Sequence, residues 1–434
     1  MAKSQKSYVR YKELINFALS GYVNGRRKEI ESLTPEYPAV LSHFLLAPET
    51  KPIFGGSAFI VACNQALYDY SKSKGEKLFK DAKQLKLIFD DIPYPPPENP
   101  KFTFIDLFAG IGGIRLAFQN AGGKCVFSSE WDVHAQKTYF ENFGEYPFGD
   151  IKQFTDTQKI SDNKLSNLIP DHDVLCAGFP CQPFSLAGVS KKNSLGRVHG
   201  FKDPTQGTLF FDIKRILKVK RPKAFFLENV KHLMRHDKGQ TFKVITDTLN
   251  ELEYTWNFAI VDAANWIPQH RERIFIVGYN PKIINITKEH IRIPLKPTAT
   301  YSRPTLKSII EKVVEERYTL GPGTWATLER HKEHHAQVGN GFGYGLIPWP
   351  IPTDTVTRTI SARYHKDGAE ILIEQKGARP RRLTVAEAQQ LQGFDKKRFR
   401  FPVSDTQAYR QIGNSVPLPA IEAVAKEISF ILSK

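Results

Sequence analysis

The stretch Phe102–Glu130, FTFIDLFAGIGGIRLAFQNAGGKCVFSSE, reads as a strand, a glycine turn, a helix and a second strand. Phe102–Phe108 is an apolar run of strand length, and Gly110, Gly112 and Gly113 punctuate it before a helical stretch at Ile114–Ala121. Cys125–Glu130 is again strand-like. The rhythm continues through a helix at Val133–Phe143, a strand at Val174–Gly178, a helix at Leu209–Leu217 and a strand at Ala224–Glu228. A helix at Thr241–Leu252 then leads to strands at Asn257–Asp262 and Arg273–Tyr279. Strands alternating with helices in this way predict an α/β fold with a doubly wound, mostly parallel sheet. Such sheets bind ligands outside the carboxyl ends of their strands.

On either side the pattern changes. Residues 1–100 read as a mostly helical extension, with helices expected at Tyr11–Ala18, Ala58–Tyr70 and Lys77–Phe89. The extension closes in a proline-rich linker at Asp90–Pro100, which can continue neither a helix nor a central strand. From residue 281 to 380 the βα rhythm is lost in a stretch rich in Pro, Gly, Thr, His and Arg, expected to form a smaller irregular domain. Residues 381–434 regain helical pattern at Val385–Gln392 and Ala420–Leu432. The core unit is therefore expected at 101–280.

Lys and Arg total 61 against 45 Asp and Glu, a net charge of +16 that suits a polyanionic partner, although a merely basic surface has the same balance. The four cysteines, Cys63, Cys125, Cys176 and Cys181, form no CxxC pair and no Cys/His metal spacing, so no metal site is expected. Cysteines so few and unpatterned suit a reducing cytoplasm. Neither a signal pattern nor a membrane-length apolar run is visible, so a soluble protein with no membrane partner is expected.

Four places carry chemistry. Phe179-Pro180-Cys181-Gln182-Pro183-Phe184 follows the strand Val174–Gly178 and holds a thiol between two prolines at the sheet's carboxyl edge. Glu228 ends the apolar run Ala224–Leu227, where partial desolvation raises a carboxyl pKa, although a helix cap or surface acid is an equally common reading of a lone Glu. Gln269-His270-Arg271-Glu272-Arg273 sets two arginines at alternate positions, suited to phosphate or carboxylate, or simply a salt-bridged strand end. The Asp106–Gly113 turn, Glu130 and Asp150 together suit a nucleoside cofactor without a pyrophosphate, or are polar loop residues.

In combination these motifs resemble the DNA (cytosine-5) methyltransferases of bacterial type II restriction–modification systems, from about Phe102 onward and in the family's order. Asp106–Gly113 is similar to the family's cofactor loop, Gly178–Ser185 to its catalytic loop, and Glu228–Val230 and Gln269–Arg273 to its ENV and QxRxR motifs. Arg381–Thr384 with Gln389–Phe394, and Gln411–Pro417, resemble the closing motifs.

The resemblance implies a Rossmann-like, S-adenosyl-L-methionine-dependent enzyme acting on double-stranded DNA, expected as a monomer. Cys181 is then the nucleophile that adds to carbon 6 of a flipped-out cytosine, its thiolate favoured by Arg271 or Arg273. Glu228, protonated, bonds to N3 of the base. Phe108, Gly110 and Gly112 line the cofactor pocket, Glu130 holds the ribose, and Trp131 packs by the adenine. Asp150 and Ile151 read the adenine, while Leu209 and Asn414 close the methionine end. Ser185–Gly200, longer than is usual, becomes a closing loop with Gly188, Gly196 and Gly200 as hinges and Lys191, Lys192 and Arg197 on phosphates. The stretch Thr357–Gly368 resembles the recognition region of enzymes reading short CC…GG palindromes (CCGG, CCWGG or CCNGG), with Arg358 and Arg363 as base readers. Two alternatives stay open: an RNA cytosine-5 methyltransferase on the same motifs, and a DNA-binding regulator, to which the N-terminal helices could contribute if they are more than a packed cover.

Overall fold

The protein is described from a computed structural model, which covers residues 7–21, 36–46, 56–74, 85–180, 209–339 and 343–434. In chain order the described elements begin with β1 (Ser7–Arg10), α1 (Tyr11–Gly21), α2 (Tyr37–Leu46), α3 (Gly56–Ser73) and β2 (Leu85–Ile88). The central unit comprises β3 (Phe102–Leu107), α4 (Gly113–Asn120), β4 (Gly123–Ser129), α5 (Val133–Phe143), β5 (Val174–Gly178) and α6 (Leu209–Lys220). It continues with β6 (Ala224–Val230), α7 (Gln240–Glu251), β7 (Thr255–Asp262) and β8 (Glu272–Tyr279).

The central sheet has six strands in the order β4-β3-β5-β6-β8-β7. The first four are parallel; β8 runs antiparallel between β6 and β7. The expected doubly wound sheet is what forms, and continuous apolar strands such as β5 and β6 are explained by cover on both faces. On one face Ile105, Leu107, Leu175, Phe225 and Leu227 pack against Phe210, Ile213 and Leu217 of α6. On the other, Phe104, Cys176, Phe226 and Phe275 meet α4 and α11 (Leu418–Leu432). Phe118 of α4 sits with its ring 5.6 Å from both Phe104 and Phe226, and truncating such a ring to alanine costs about 3–5 kcal/mol.

The N-terminal extension packs on the first face. Tyr11, Leu14, Tyr37, Val40, Leu41 and Phe44 join the same apolar cluster as the sheet. The helices at Tyr11 and Ala58 form, but the helix expected over Lys77–Phe89 does not: Leu85–Ile88 is a strand, paired in parallel with Ser7–Arg10. Its Leu-Lys-Leu-Ile alternation fits an extended chain, and pairing with a distant segment overrides helical propensity. Residues 75–84 lie outside the described part.

Residues 281–380 are more ordered than their composition predicts. They hold α8 (Pro322–Gln337), opened by proline in the first turn, and β9 (Leu346–Ile347), β10 (Leu372–Gln375) and most of β11 (Ala378–Arg382) in a three-stranded sheet. Their apolar cluster of Leu306, Tyr318, Ile360, Tyr364 and Ile371 is completed by Leu383, Ala388 and Leu391 of and beside α9 (Val385–Leu391) and by Tyr409 and Ile412 of α10 (Asp405–Asn414). α9 begins with a full capping box between Thr384 and Glu387. Among the described residues, no helix is long and apolar enough to cross a membrane.

Candidate active site

Parallel strands β3 to β6 end at one edge of the sheet, where the motif residues fall into two groups. In the first, Glu228 stands at the end of β6 in register with Gly178 of β5. Its Oε1 lies 3.0 Å from Nε of Arg273, and both side chains are nearly withdrawn from water. Burial pushes the Glu228 carboxyl up, and the pull of Arg273 and Arg271 offsets this only in part. The next residue, Asn229, donates from Nδ2 to the Phe179 carbonyl at 2.9 Å. This bond pins the backbone two residues ahead of position 181.

In the second group, the turn after β3 is forced into left-handed backbone at Phe108 (φ 57°), Gly110 (φ 55°) and Gly112 (φ 83°). A non-glycine residue there is strained, a condition that clusters at ligand sites. Glu130, at the end of β4, holds the turn: Oε2 accepts from the Gly110 amide at 2.7 Å and Oε1 from the Asp132 amide at 2.8 Å. A Cβ on Gly110 would meet nothing within 4 Å, so the turn faces open space. At Gly112 it would run into the Phe143 ring at 2.2 Å, and at Gly113 into Val416 at 2.7 Å. Trp131 is 81 % exposed and is no core residue. Asp150 is exposed and its Oδ1 accepts from the Lys152 amide at 3.0 Å. Ile151, by contrast, is buried in the apolar layer beneath, so its side chain has core partners. Leu209 opens α6, half-buried against the same layer, and Asn414 is exposed at the end of α10.

The two arginines of the 269–273 motif do not act as a pair. Arg273 lies on Glu228, whereas Arg271 donates to backbone carbonyls, from Nη1 to Ile360 at 3.0 Å and from Nη2 to Gly413 at 2.9 Å and Ser415 at 2.5 Å. Gln269 accepts from the Ile360 amide at 3.0 Å, so both backbone polar groups of Ile360 are held by this motif. Position 271 precedes β8, which is why simple alternation along a strand misplaces it.

Residues 102–429 match the C-5 cytosine-specific DNA methylase family. This chain belongs to that family. The methylase is 50 % identical over 341 residues to the type II methyltransferase M.SsoII of Shigella sonnei, a match spanning 78 % of this chain and 83 % of that protein. It is 47 % identical over 376 residues to the DNA-cytosine methyltransferase of Escherichia coli strain K12, spanning 77 % and 79 %. Among solved structures, the Entamoeba histolytica methyltransferase EhMeth aligns with a TM-score of 0.55 over 76 % of this chain and 97 % of its own, at 18 % identity, a likeness of fold.

The methylase's other expected site residues are more scattered. Arg358 and Arg363 are both exposed, on the segment that Gln269 and Arg271 hold; Nη1 of Arg358 donates to the Gly343 carbonyl. Cys181, Arg197 and the rest of 181–208 lie outside the described residues. Cys125 and Cys176 are buried, with burial raising both thiols, which suits core packing and not nucleophilic chemistry. Among the described residues, no cluster could hold a metal ion.

Sequence reasoning passed over Asn229, the restraint on Phe179, although it sits inside a quoted motif. It also passed over the charge of Asp106, whose place in an otherwise apolar strand was the available signal. Asp106 is fully buried, and neither carboxyl oxygen has a hydrogen-bond partner among the described residues. Burial pushes its pKa up to about 8, against the pull of Arg115.

Proposed function

We propose that the chain transfers a methyl group from S-adenosyl-L-methionine to carbon 5 of a cytosine flipped out of double-stranded DNA, as the modification enzyme of a type II restriction–modification system. The observation that carries this reading is the buried Glu228–Arg273 pair one strand from Gly178, with Asn229 fixing the backbone that leads into Pro180-Cys181.

The residues fit the cofactor: an open glycine turn, a carboxylate fixed by two amides beside it, and an exposed indole at the next position. Phe108, Gly110 and Gly112 line the pocket, Glu130 takes the ribose hydroxyls on its remaining lone pairs, and Trp131 covers the adenine. Asp150 and Ile151 read the adenine edge, Ile151 through its backbone, and Leu209 and Asn414 close the far end. When bound, S-adenosyl-L-methionine supplies the electrophilic methyl group.

Carbon 5 of cytosine is a weak nucleophile until the Cys181 thiolate adds to carbon 6 and makes the ring an enamine. Glu228, with its raised pKa, keeps a proton for N3 as negative charge builds on the ring. Arg273 orients that carboxyl. The activated carbon 5 then takes the methyl group from the donor sulfur, and loss of the carbon 5 proton to a base breaks the bond between Cys181 and carbon 6, frees the thiolate and restores the aromatic ring. Taking the base out of the helix costs roughly a few kcal/mol, which phosphate contacts such as Arg197 offset. The catalytic unit is 101–280 with 381–434, and residues 281–380 read the sequence through Arg358 and Arg363 at a short CC…GG site.

The test is covalent trapping. A duplex carrying 5-fluorocytosine in the target site cannot lose the group at carbon 5, so the wild-type chain with S-adenosyl-L-methionine should become irreversibly attached to it, and Cys181→Ala should not. A wild-type chain that turns over normal duplex yet never attaches to the fluorinated one overturns the mechanism.

A further inference from the structure

The family match begins at residue 102, yet the loop bearing Asp150 is shaped by residues far ahead of it. The loop runs from Gly144 to Ile151, between α5 and the helical turn Lys152–Thr155. On its inner side it hydrogen-bonds along β4: Glu130 donates its amide to the Phe148 carbonyl at 2.7 Å, and Ser129 Oγ donates to the Gly149 carbonyl at 3.0 Å. That side ties the two residues before Asp150 to the end of β4, where Glu130 stands.

Its outer side belongs to the N-terminal layer. The Gly149 amide donates to Glu36 Oε2 at 3.2 Å, and Gln153 Nε2 donates to Glu36 Oε1 at 2.8 Å. The Tyr146 amide donates to Ser42 Oγ at 3.1 Å, and Tyr11 donates its hydroxyl to the Gly144 carbonyl. His43 Nε2 lies 3.3 Å from Glu145 Oε1, and its ring stands 4.7 Å from that of Phe148. Two glycines of the loop are fitted to this layer. A Cβ on Gly149 would lie 2.8 Å from Glu36 Oε1, and one on Gly144 would lie 2.3 Å from Ile92 and 2.9 Å from Tyr11.

We propose that the N-terminal layer is part of the cofactor pocket, with Glu36 as a positioning residue that holds the Gly149–Asp150 peptide where the adenine of S-adenosyl-L-methionine is read. The inference rests on the assignment of Asp150 made above. Beyond the single bridge of Phe148 to β4 the loop has no ladder, so ordering it costs conformational entropy, and a carboxylate bridging two donors restrains it against that loss. Without it the loop samples other shapes, and the cofactor must select the competent one.

The full-length chain tests this by calorimetric titration with S-adenosyl-L-methionine and by initial rates at varied cofactor with saturating duplex. Glu36→Ala should raise both Kd and KM for the cofactor by about tenfold, the scale of one charge-assisted hydrogen bond. Its kcat at saturating cofactor and its duplex affinity should stay within about twofold. Glu36→Gln, which keeps an acceptor for the Gly149 amide, should recover most of the affinity. Asp150→Ala is the companion measurement. If Asp150→Ala weakens cofactor binding and Glu36→Ala does not, the role of the layer is overturned while the pocket assignment stands. If Asp150→Ala itself leaves binding unchanged, the pocket assignment fails and takes the inference with it. A parallel fall in kcat and duplex affinity with unchanged cofactor KM would mark Glu36 as a purely structural contact and overturn its positioning role.

Discussion

Glu228 Oε1 and Arg273 Nε stand 3.0 Å apart on neighbouring antiparallel strands, and the carboxyl still titrates above its ordinary range because burial outweighs the guanidinium. A carboxyl so placed carries its proton further toward neutral pH than a surface glutamate does. Methylation should therefore fall on the alkaline side as Glu228 ionises. In Arg273→Gln the cation that lowers this pKa is gone, so the alkaline limb of kcat should move to higher pH even as the maximal rate drops. Glu228→Gln should lose about 10²–10⁴-fold in kcat and lose that limb altogether, read from pH–rate profiles on duplex substrate.

Asp106 makes the opposite kind of prediction, one about stability. Its folded-state pKa of about 8 lies above the unfolded value near 4 for an aspartate. Between those two values the folded chain binds a proton that the unfolded chain has lost, so the contribution of Asp106 is full below pH 4 and shrinks as pH rises to 8. Asp106→Asn should remove this slope. Urea unfolding at pH 5 and pH 8 should show the variant gaining on the wild type at the higher pH.

Asn229 holds Phe179 through a single buried hydrogen bond. Asn229→Ala should destabilise the fold by about 1–3 kcal/mol, because the Phe179 carbonyl is left buried without that donor. Its larger effect should be on the chemistry, with turnover falling while cofactor affinity is kept. Loss of cofactor binding in parallel would show that Asn229 serves the whole edge of the sheet.

Arg358 and Arg363 are separable by the currency of their contacts. A base reader substituted by alanine should cost about 1–3 kcal/mol of binding and relax the choice of base at one position of the site. A phosphate contact should weaken all duplexes alike and flatten the dependence of binding on salt. Binding of each alanine variant to cognate and single-mismatch duplexes at two salt concentrations decides between these for each residue.

The sheet was legible because its central strands carry their burial in their own apolar runs, as Val174–Gly178 and Ala224–Leu227 do. The strand at Leu85–Ile88 was not, since its partner is Ser7–Arg10, far back in the chain, and nothing local announces that pairing. Helix Tyr37–Leu46 is buried on nearly every side and so lacks the amphipathic period by which helices are read. At the site, residue types and spacing brought out Glu228, Glu130 and the glycine turn. The different fates of Arg271 and Arg273 depend on carbonyls from residues 360, 413 and 415, contacts that no spacing rule contains.

The helix Leu418–Leu432, which covers Phe104, Cys176 and Phe226, leaves the ribosome after every strand it shelters. During translation that sheet face stays wet, and the nascent chain is open to aggregation until this helix emerges. A nonsense mutation at residue 418 should thus yield insoluble polypeptide even though every motif, through Gln411–Pro417, has been translated.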